Sequence, residues 1–328
     1  MKFVFFFDLI PPWQERLVVL QHEFPELEIV LRESKTENDI VDADAFVGGY
    51  VPPEDLKRAG NLKIVFFNFT GPNFLPFDEL AARGVIISNT HGNAGSVAER
   101  AVALALSYYG KIIPYHHDLK QGRWHGVWSG KDVADTWESL YGKRCALIGT
   151  GEIGRWIARY LKAFGCQVVG FKQKPVSSLP ENFDHITQDL FEALEGSELV
   201  FISLPQTRET EGLIDAGTIS KMSGKFLVNV GRGGVVDEAA LFGALKDGVL
   251  KGAGLDVWYN YPDPAGKGQT VFPSRFPFHE LDNVVLSPHI GGLTPQAVDL
   301  NITQTIENIR AYLKKGRPIF EIDPTLMY

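Results

Sequence analysis

The sequence lacks most features that mark secreted, membrane-spanning or nucleic-acid-binding proteins. Only two cysteines occur in 328 residues, which is too few for a disulfide framework. No stretch approaches the roughly 18 apolar residues of a membrane span, and Asp8 and Pro11 interrupt the apolar start before it reaches the length of a signal peptide. Acidic residues outnumber basic ones by 40 to 32, which disfavours nucleic acid or an anionic membrane as a partner. These absences predict a cytoplasmic protein.

Metal-binding patterns are also absent from the sequence. Cys145 and Cys166 belong to predicted strand segments and are interpreted as small core residues. The segment from Lys111 to Leu140 is rich in tryptophan and histidine, but no carboxylate or cysteine supports a metal-ligand spacing there, so no metal site is expected. Aromatic residues at this density indicate a packing or oligomer surface. The histidines and tryptophans of the segment are His116, His117, Trp124, His125, Trp128 and Trp137.

The pattern that is present is a regular alternation of short apolar runs and helical segments. It predicts an α/β fold with parallel sheets covered on both faces, and 328 residues are enough for two domains with separate cores. Ligands of such sheets bind outside the carboxyl ends of the strands. Glycine-containing loops at 47–50 and 68–73 could present N–H groups to an anion there, but an ordinary turn is the better interpretation of each from its residues alone. The long amphipathic segment Pro295–Lys315 predicts a helix that packs on the first domain.

One stretch, from Arg144 to Lys174, indicates a dinucleotide-binding unit. An apolar strand leads through a GxGxxG turn into a helix with apolar residues at helical spacing, and a second strand follows. The three glycines permit a tight turn, close approach of a pyrophosphate and close packing of helix on strand, and the helix N-terminus favours the phosphate charge. The turn that we expect to hold the cofactor comprises Gly149, Thr150, Gly151, Glu152, Ile153 and Gly154.

The charge beyond the glycine turn favours NADP over NAD. NAD-binding units carry an acidic residue about 20 residues beyond the glycines, where it holds a ribose hydroxyl. Lys172 stands at that position, followed by Gln173 and Lys174, and Arg155 lies in the first turn of the helix. Cations without a carboxylate suit a 2′-phosphate, although the lysines would also be compatible with NAD if they were merely solvated.

Two further residues carry the chemistry that a nicotinamide enzyme needs from its protein. Arg232 follows a predicted strand in a glycine-flanked turn, where its guanidinium could bind a carboxylate and a carbonyl oxygen in one forked contact. His289 lies at another strand end, between Pro288 and a Gly-Gly turn, and histidine is the usual proton carrier near neutral pH. The other seven histidines are interpreted as structural or surface residues.

Four motifs, in this order, resemble the signatures of the D-isomer-specific 2-hydroxyacid dehydrogenase family. They are the glycine turn, the NVGRGGVVD sequence around Arg232, the GLDV sequence around Asp256, and the SPHIG sequence around His289. The resemblance extends over essentially the whole chain. It implies a reductase of small 2-oxo acids, or a dehydrogenase of 2-hydroxy acids, that is D-stereospecific and of the glyoxylate/hydroxypyruvate reductase type.

The resemblance also implies an architecture and a set of site residues. It implies two doubly wound domains, a Rossmann cofactor domain (93–293) inserted in a flavodoxin-like catalytic domain (1–92 plus 294–328), and a homodimer formed largely through the cofactor domain. Arg232 would orient the 2-oxo acid and His289 would be the acid/base, while the backbone amides of Thr70 and Gly71 would hold the substrate carboxylate. The remaining residues implied at the cofactor are Pro205, Thr210, Val230, Gly231, Asp256, which would position the nicotinamide, and Gly291.

One departure from the family bears on catalysis. The glutamate that usually follows the GLDV aspartate by five residues, and pairs with the histidine, is replaced by Tyr261. A phenol could orient His289 but would stabilise its charge much less than a carboxylate. This predicts weak 2-oxo acid reduction at neutral pH or a more acidic optimum.

The absence of this glutamate leaves two alternatives open, a formate-dehydrogenase-like hydride donor and a dinucleotide-sensing binding protein or corepressor. Lys172 disfavours the first, and the presence of both Arg232 and His289 disfavours the second.

Overall fold

The computed structural model describes residues 1–73, 75–131, 135–263 and 268–328. The chain divides into two compact units, one formed by Met1–Asn93 with Leu293–Tyr328 and the other by Ala94–Gly292. Both units contain a parallel sheet with helices between the strands. The predicted α/β class with two doubly wound sheets is confirmed.

The first unit has five parallel strands in the order β2-β1-β3-β4-β5. Its strands are β1 (Lys2–Phe5), β2 (Glu28–Val30), β3 (Ala45–Val47), β4 (Ile64–Phe66) and β5 (Ile86–Ser88). Its helices are α1 (Pro11–Glu23), α2 (Glu37–Val41), α3 (Pro53–Arg58), α4 (Phe77–Ala82) and, from the C-terminal segment, α11 (Pro295–Lys315). Apolar residues continue beyond the ends of β1 and β4, at Phe6, Phe7 and Phe67, so the apolar runs in the sequence are longer than the strands.

Helix α11 confirms the predicted helix at Pro295–Lys315, and its ends follow from local chemistry. The Thr294 hydroxyl accepts the Ala297 N–H at 3.1 Å, which satisfies one free amide at the N-terminus. Gly316 ends the helix in the left-handed conformation, with φ of +74°. Ile302, Ile306 and Ile309 lie in one buried cluster with strands of this unit.

The second unit has seven parallel strands in the order β12-β11-β10-β9-β6-β7-β8, which is the Rossmann order with one strand added at an edge. Its strands are β6 (Arg144–Ile148), β7 (Gln167–Phe171), β8 (His185–Thr187), β9 (Leu199–Ile202), β10 (Phe226–Asn229), β11 (Gly252–Leu255) and β12 (Val284–Leu286). Its helices are α5 (Ala94–Tyr109), α6 (Ile112–Leu119), α7 (Glu152–Ala163), α8 (Leu190–Leu194), α9 (Ala216–Ser220) and α10 (Glu238–Lys246).

Strand β6 shows why this sheet is apolar throughout. Cys145 and Leu147 pack into the cluster on one face of the sheet, and Ala146 and Ile148 pack into the cluster on the other face. The sequence of a parallel strand that is covered on both faces is therefore a continuous apolar run, without alternation of apolar and polar residues. Cys145 and Cys166 are buried free thiols, which confirms their interpretation as core residues.

The tryptophan- and histidine-rich segment is more regular than its sequence indicated, because α6 covers part of it. The imidazole of His125 lies between two carboxylates, 2.8 Å from Asp135 and 2.9 Å from Asp118, and these contacts tie the loop to the end of the helix. Residues 132–134 of this segment lie outside the described residues. Exposed apolar side chains in and beside this segment form what we call the aromatic surface: Ile112, Ile113, Trp124, Val127, Trp128, Trp137 and Tyr141.

The sequence patterns did not predict α2, β8, α8, α9 or α10. Helix α2 is stabilised by a capping box, in which Thr36 and Asp39 hydrogen-bond each other's backbone N–H groups. Strand β8 is only three residues long and has an exposed first residue, so it carries no clear apolar pattern. Across the described ranges, no helix is long and apolar enough to cross a membrane.

Candidate functional site

The glycine turn between β6 and α7 has the geometry that a dinucleotide requires. Gly149 has a φ of +108°, a conformation that favours glycine. A Cβ on Gly154 would lie 2.2 Å from the Gly149 carbonyl oxygen, so only glycine permits this packing. A Cβ on Gly151 would meet nothing within 4 Å, which leaves open space at the start of α7. The Oγ1 atom of the buried Thr150 has no hydrogen-bond partner within the described part of the chain. The residues present therefore fit a pyrophosphate at the helix N-terminus.

A cleft of about 570 Å³ opens beside this turn, between α7 and the loop that follows β7. Lys172 lines it together with Thr150 and Arg155, as the sequence pattern would require of a ribose site. Gln173 and Lys174 are exposed and lie outside the cleft lining. Its other lining residues are Trp156, Arg159, Pro175, Val176, Ser177, Ser178, Pro180, Glu181 and Asn182.

Arg232 is presented by a turn whose backbone is held from within. The Asn229 side chain accepts the Gly231 N–H at 3.0 Å and donates to the Arg232 carbonyl at 3.0 Å. A Cβ on Gly233 would lie 2.1 Å from the carbonyl oxygen of Trp258, so this turn is pressed against the loop after β11. The Arg232 guanidinium donates to the Gly231 carbonyl at 2.7 Å. The sequence patterns indicated Arg232 but not the role of Asn229. The position of Asn229 at the end of a strand was the feature that could have indicated it.

Asp256 holds the turn that carries His289. Its buried carboxylate accepts hydrogen bonds from the Ser287 hydroxyl, from the Ile290 N–H at 3.1 Å and from the Gly291 N–H at 3.0 Å. His289 adopts a φ of +54°, which is uncommon for a residue other than glycine. Three hydrogen bonds around this residue offset the cost of that conformation. Asp256 is thus a positioning residue for His289 in this structure, a role that the sequence patterns did not indicate.

The Tyr261 hydroxyl does not take the place of a carboxylate bound to the His289 imidazole. The phenol oxygen accepts the Trp258 N–H at 3.0 Å, while the ring lies against His289 with centroids 5.4 Å apart and planes inclined at 55°. Within the described ranges, no carboxylate forms a hydrogen bond or ion pair with His289. The contact between the two rings orients the imidazole without supplying a negative charge.

The electrostatics follow from this arrangement. Partial exclusion of water lowers the pKa of His289 below its ordinary value of 6.5, the positive charge of Arg232 lowers it further, and Asp256 acts in the opposite direction. Burial raises the pKa of the Tyr261 phenol, so this group is neutral at physiological pH. The site therefore contains a fixed cation, a neutral phenol and an imidazole that loses its proton more readily than usual.

The remaining residues implied by the resemblance fall in loops at strand ends. In the second unit, the Thr210 hydroxyl donates to the Pro205 carbonyl at 2.6 Å after β9, Val230 is buried, and a Cβ on Gly231 would lie 2.5 Å from the Leu204 carbonyl oxygen. In the first unit, Asn89 donates to the Thr70 carbonyl at 2.8 Å. Gly71 follows Thr70 in that same loop, which begins after β4.

Comparison with known proteins identifies the family. The sequence profile of the D-isomer specific 2-hydroxyacid dehydrogenase NAD binding domain matches residues 102–291. The chain belongs to this family. The resemblance noted from the four motifs is thereby confirmed, and so is the expectation of an NAD(P)-binding domain.

Individual relatives and solved structures agree with this assignment. The glyoxylate reductase of Pyrococcus furiosus is 31% identical, over 94% of this chain and 90% of its own length. The D-3-phosphoglycerate dehydrogenase of Archaeoglobus fulgidus is 31% identical over 92% of this chain. The chain spans about half the length of the D-3-phosphoglycerate dehydrogenases that it matches. Among solved structures, an NADPH-dependent glyoxylate/hydroxypyruvate reductase from Sinorhizobium meliloti, in complex with NADP and malonate, is similar over 99% of this chain and 97% of its own, with 28% identity and a TM-score of 0.76.

Proposed function

We propose that this protein is an NAD(P)-dependent 2-hydroxyacid dehydrogenase that acts as a D-stereospecific reductase of small 2-oxo acids, of the glyoxylate/hydroxypyruvate reductase type. The observation that carries the proposal is the placement of Arg232, Asp256 and His289. They follow β10, β11 and β12, three neighbouring strands of the dinucleotide-binding unit. The carboxyl ends of such strands are where the substrates of these folds bind.

Each protein group has a defined task in this reaction. Bound NAD(P)H would supply the hydride that attacks C2 of the oxo acid. Arg232 would bind the substrate carboxylate and the carbonyl oxygen, which orients the carbonyl and stabilises the negative charge that develops on it. His289, as imidazolium, would donate a proton to that oxygen, so that the product is the 2-hydroxy acid. We assign the backbone amides of Thr70 and Gly71 to the substrate carboxylate on the family resemblance.

We further propose that NADP(H) is preferred over NAD(H). Lys172 stands where NAD-binding units carry an acidic residue, and it lines the cleft beside the glycine turn. A positive charge there attracts a 2′-phosphate, whereas a carboxylate would repel it.

The test is the loss of NADPH and NADH absorbance with glyoxylate, hydroxypyruvate, pyruvate and phenylpyruvate between pH 5 and 8. Turnover of a 2-oxo acid, faster with NADPH at subsaturating cofactor, supports both proposals. Equal affinity for the two cofactors overturns the NADP preference alone. Cofactor binding without turnover of any acid overturns the reductase assignment and favours a sensor or a different hydride substrate.

Replacement of Tyr261 by glutamate is expected to move the pH dependence of reduction. Reduction requires the protonated imidazole, so its rate falls as the pH rises through the lowered pKa of His289. A carboxylate near the imidazole raises that pKa, by about 1 to 3 units when the charges are in contact. The alkaline limb of kcat/KM should therefore shift upward by about one pH unit. Tyr261→Gln, which adds no charge, should leave the limb in place, and a profile unchanged by glutamate would contradict this explanation.

We also propose a cytoplasmic homodimer in which the aromatic surface contacts a second copy of the chain. Exposed tryptophans are enriched at interfaces, and Trp128 is 82% exposed. Trp128→Glu should weaken self-association by about 30-fold or more, since central interface tryptophans contribute roughly 2 kcal/mol or more. Sedimentation velocity measures this. A wild-type chain that sediments as a monomer at micromolar concentration would rule the dimer out.

The cytoplasmic location that we propose is supported by Cys145 and Cys166, since free cysteines are typical of a reducing compartment.

A further inference from the structure

The cleft beside the glycine turn contains more positive charge than the sequence pattern indicated. Arg155, Arg159 and Lys172 all line it, against one carboxylate, Glu181, among the described lining residues. Arg155 is already engaged, because its guanidinium lies 3.1 Å from the Glu152 carboxylate. Arg159 and Lys172 have no ion-pair partner within the described ranges. Two cations without an ion-pair partner, Arg159 and Lys172, therefore line the cleft together with one carboxylate, Glu181.

Arg159 is held in place by an aromatic platform. Its guanidinium carbon lies 5.0 Å from the ring centroid of Trp156, a cation–π distance. Trp156 is itself supported by Tyr160, with ring centroids 5.8 Å apart, and lies beside Gly95 at the start of α5. A guanidinium stacked on a ring keeps its N–H groups in its own plane, where they remain available to donate. A cation–π contact of this kind restricts the exposed arginine and leaves its N–H groups available as donors.

We propose that Arg159, ordered on Trp156, is a specificity-determining residue that binds the ribose 2′-phosphate of the cofactor together with Lys172. This inference rests on the proposed preference for NADP(H). Arg159 lies one helical turn beyond Arg155, on the same side of α7, and faces the same cleft as Lys172. A phosphate monoester bears close to two negative charges and accepts a bidentate contact from a guanidinium. The hydroxyls of Ser177 and Ser178 line the same cleft and complete a polar surface for the phosphate.

Arg159 differs from Arg155 and Lys174, the cations that the sequence pattern indicated beside Lys172. Arg155 would have to exchange its carboxylate partner for the phosphate, which reduces its net contribution. Lys174 lies outside the cleft lining. The linear sequence does not indicate Arg159 as a phosphate ligand, because its position relative to β7 is set by the packing of α7 on the sheet.

Calorimetric titration of the 328-residue chain with two fragments tests the proposed role of Arg159 without catalysis. The probes are adenosine 2′,5′-bisphosphate and adenosine 5′-monophosphate, which differ only in the 2′-phosphate. Arg159→Gln should weaken binding of the bisphosphate by about 10- to 100-fold and leave binding of the monophosphate within about twofold, since a charge-assisted contact contributes roughly 1.5–3 kcal/mol. Arg159→Lys should recover only part of the loss, because a lysine retains the charge but not the fork or the stacking. Lys246→Gln, which removes an equal charge from α10 outside the cleft, is the matched control.

The outcomes separate the two proposals. If the wild-type protein binds both fragments equally, the NADP preference fails, and the role of Arg159 fails with it. If the wild type prefers the bisphosphate and Arg159→Gln keeps that preference, the role of Arg159 alone is overturned. If Lys246→Gln lowers the preference as much as Arg159→Gln does, the effect is one of overall charge and the specific contact is also overturned. Trp156→Leu should reduce the preference in part by releasing the arginine, and a full preference in that variant contradicts the role of the aromatic platform.

Discussion

Arg232→Gln is expected to lower kcat/KM for 2-oxo acid reduction by about 10²- to 10³-fold, the loss typical for one donor to a developing oxyanion. The guanidinium is the fixed cation of the proposed site, and glutamine can replace neither its charge nor its fork. The substitution should leave the turn intact, because Asn229 holds the turn through backbone atoms of Gly231 and Arg232. Initial rates at subsaturating oxo acid and saturating NADPH give the ratio directly.

Two companion measurements show that this effect is local. The dissociation constant for NADPH should change by less than about threefold in Arg232→Gln, and the melting temperature should stay within a few degrees of wild type, as is usual for substitutions that disturb no packing. Arg232→Lys restores the charge but not the two parallel hydrogen bonds, so we expect only partial recovery. If the Arg232→Gln protein kept a tenth or more of wild-type kcat/KM, the substrate would have to be bound elsewhere.

Gly154→Ala is expected to have the second large effect, on stability and cofactor binding together. The added Cβ would lie 2.2 Å from the Gly149 carbonyl oxygen, so the glycine turn and the first turn of α7 must separate. Overpacking of this kind costs roughly 1–3 kcal/mol, which should lower the melting temperature by about 3–10 °C in a domain of this size. The displaced turn no longer presents its N–H groups correctly, so the affinity for NADPH should fall by tenfold or more, as measured by calorimetry.

Gly243→Ala is the matched control for this substitution. Gly243 also lies within a helix, α10, but a Cβ there would meet nothing within 4 Å. Alanine is favoured over glycine in a helix interior by about 0.5–1 kcal/mol. The control should therefore raise the melting temperature slightly and leave NADPH binding unchanged. Equal losses in both variants would mean that steric contact at Gly154 is not the cause.

The parts of the candidate site that could be predicted from the sequence are those that depend on local backbone chemistry. The glycine turn, Arg232 and His289 all follow strands directly and stand in turns rich in glycine, so their motifs are continuous in the chain. Asn229 and Ser287 were missed, because each acts through a hydrogen bond whose partner is defined only once the turn is folded. Tyr261 was recognised as a departure, but its hydroxyl contact with the Trp258 N–H could not be foreseen.

The amino-acid sequence was enough to specify the alternation of strands and helices, the glycine turn that fits a dinucleotide, and the cation that follows β7. These properties depend on side-chain type and on spacing within one or two elements, which local physical chemistry decides. The folded structure was needed to show that Asp256 supports the His289 turn and that the Arg159 guanidinium contacts the Trp156 ring in the cleft with Lys172. Those contacts depend on strand order and on which face of α7 packs against the sheet, and both are set by burial of the whole core rather than by any short stretch of residues.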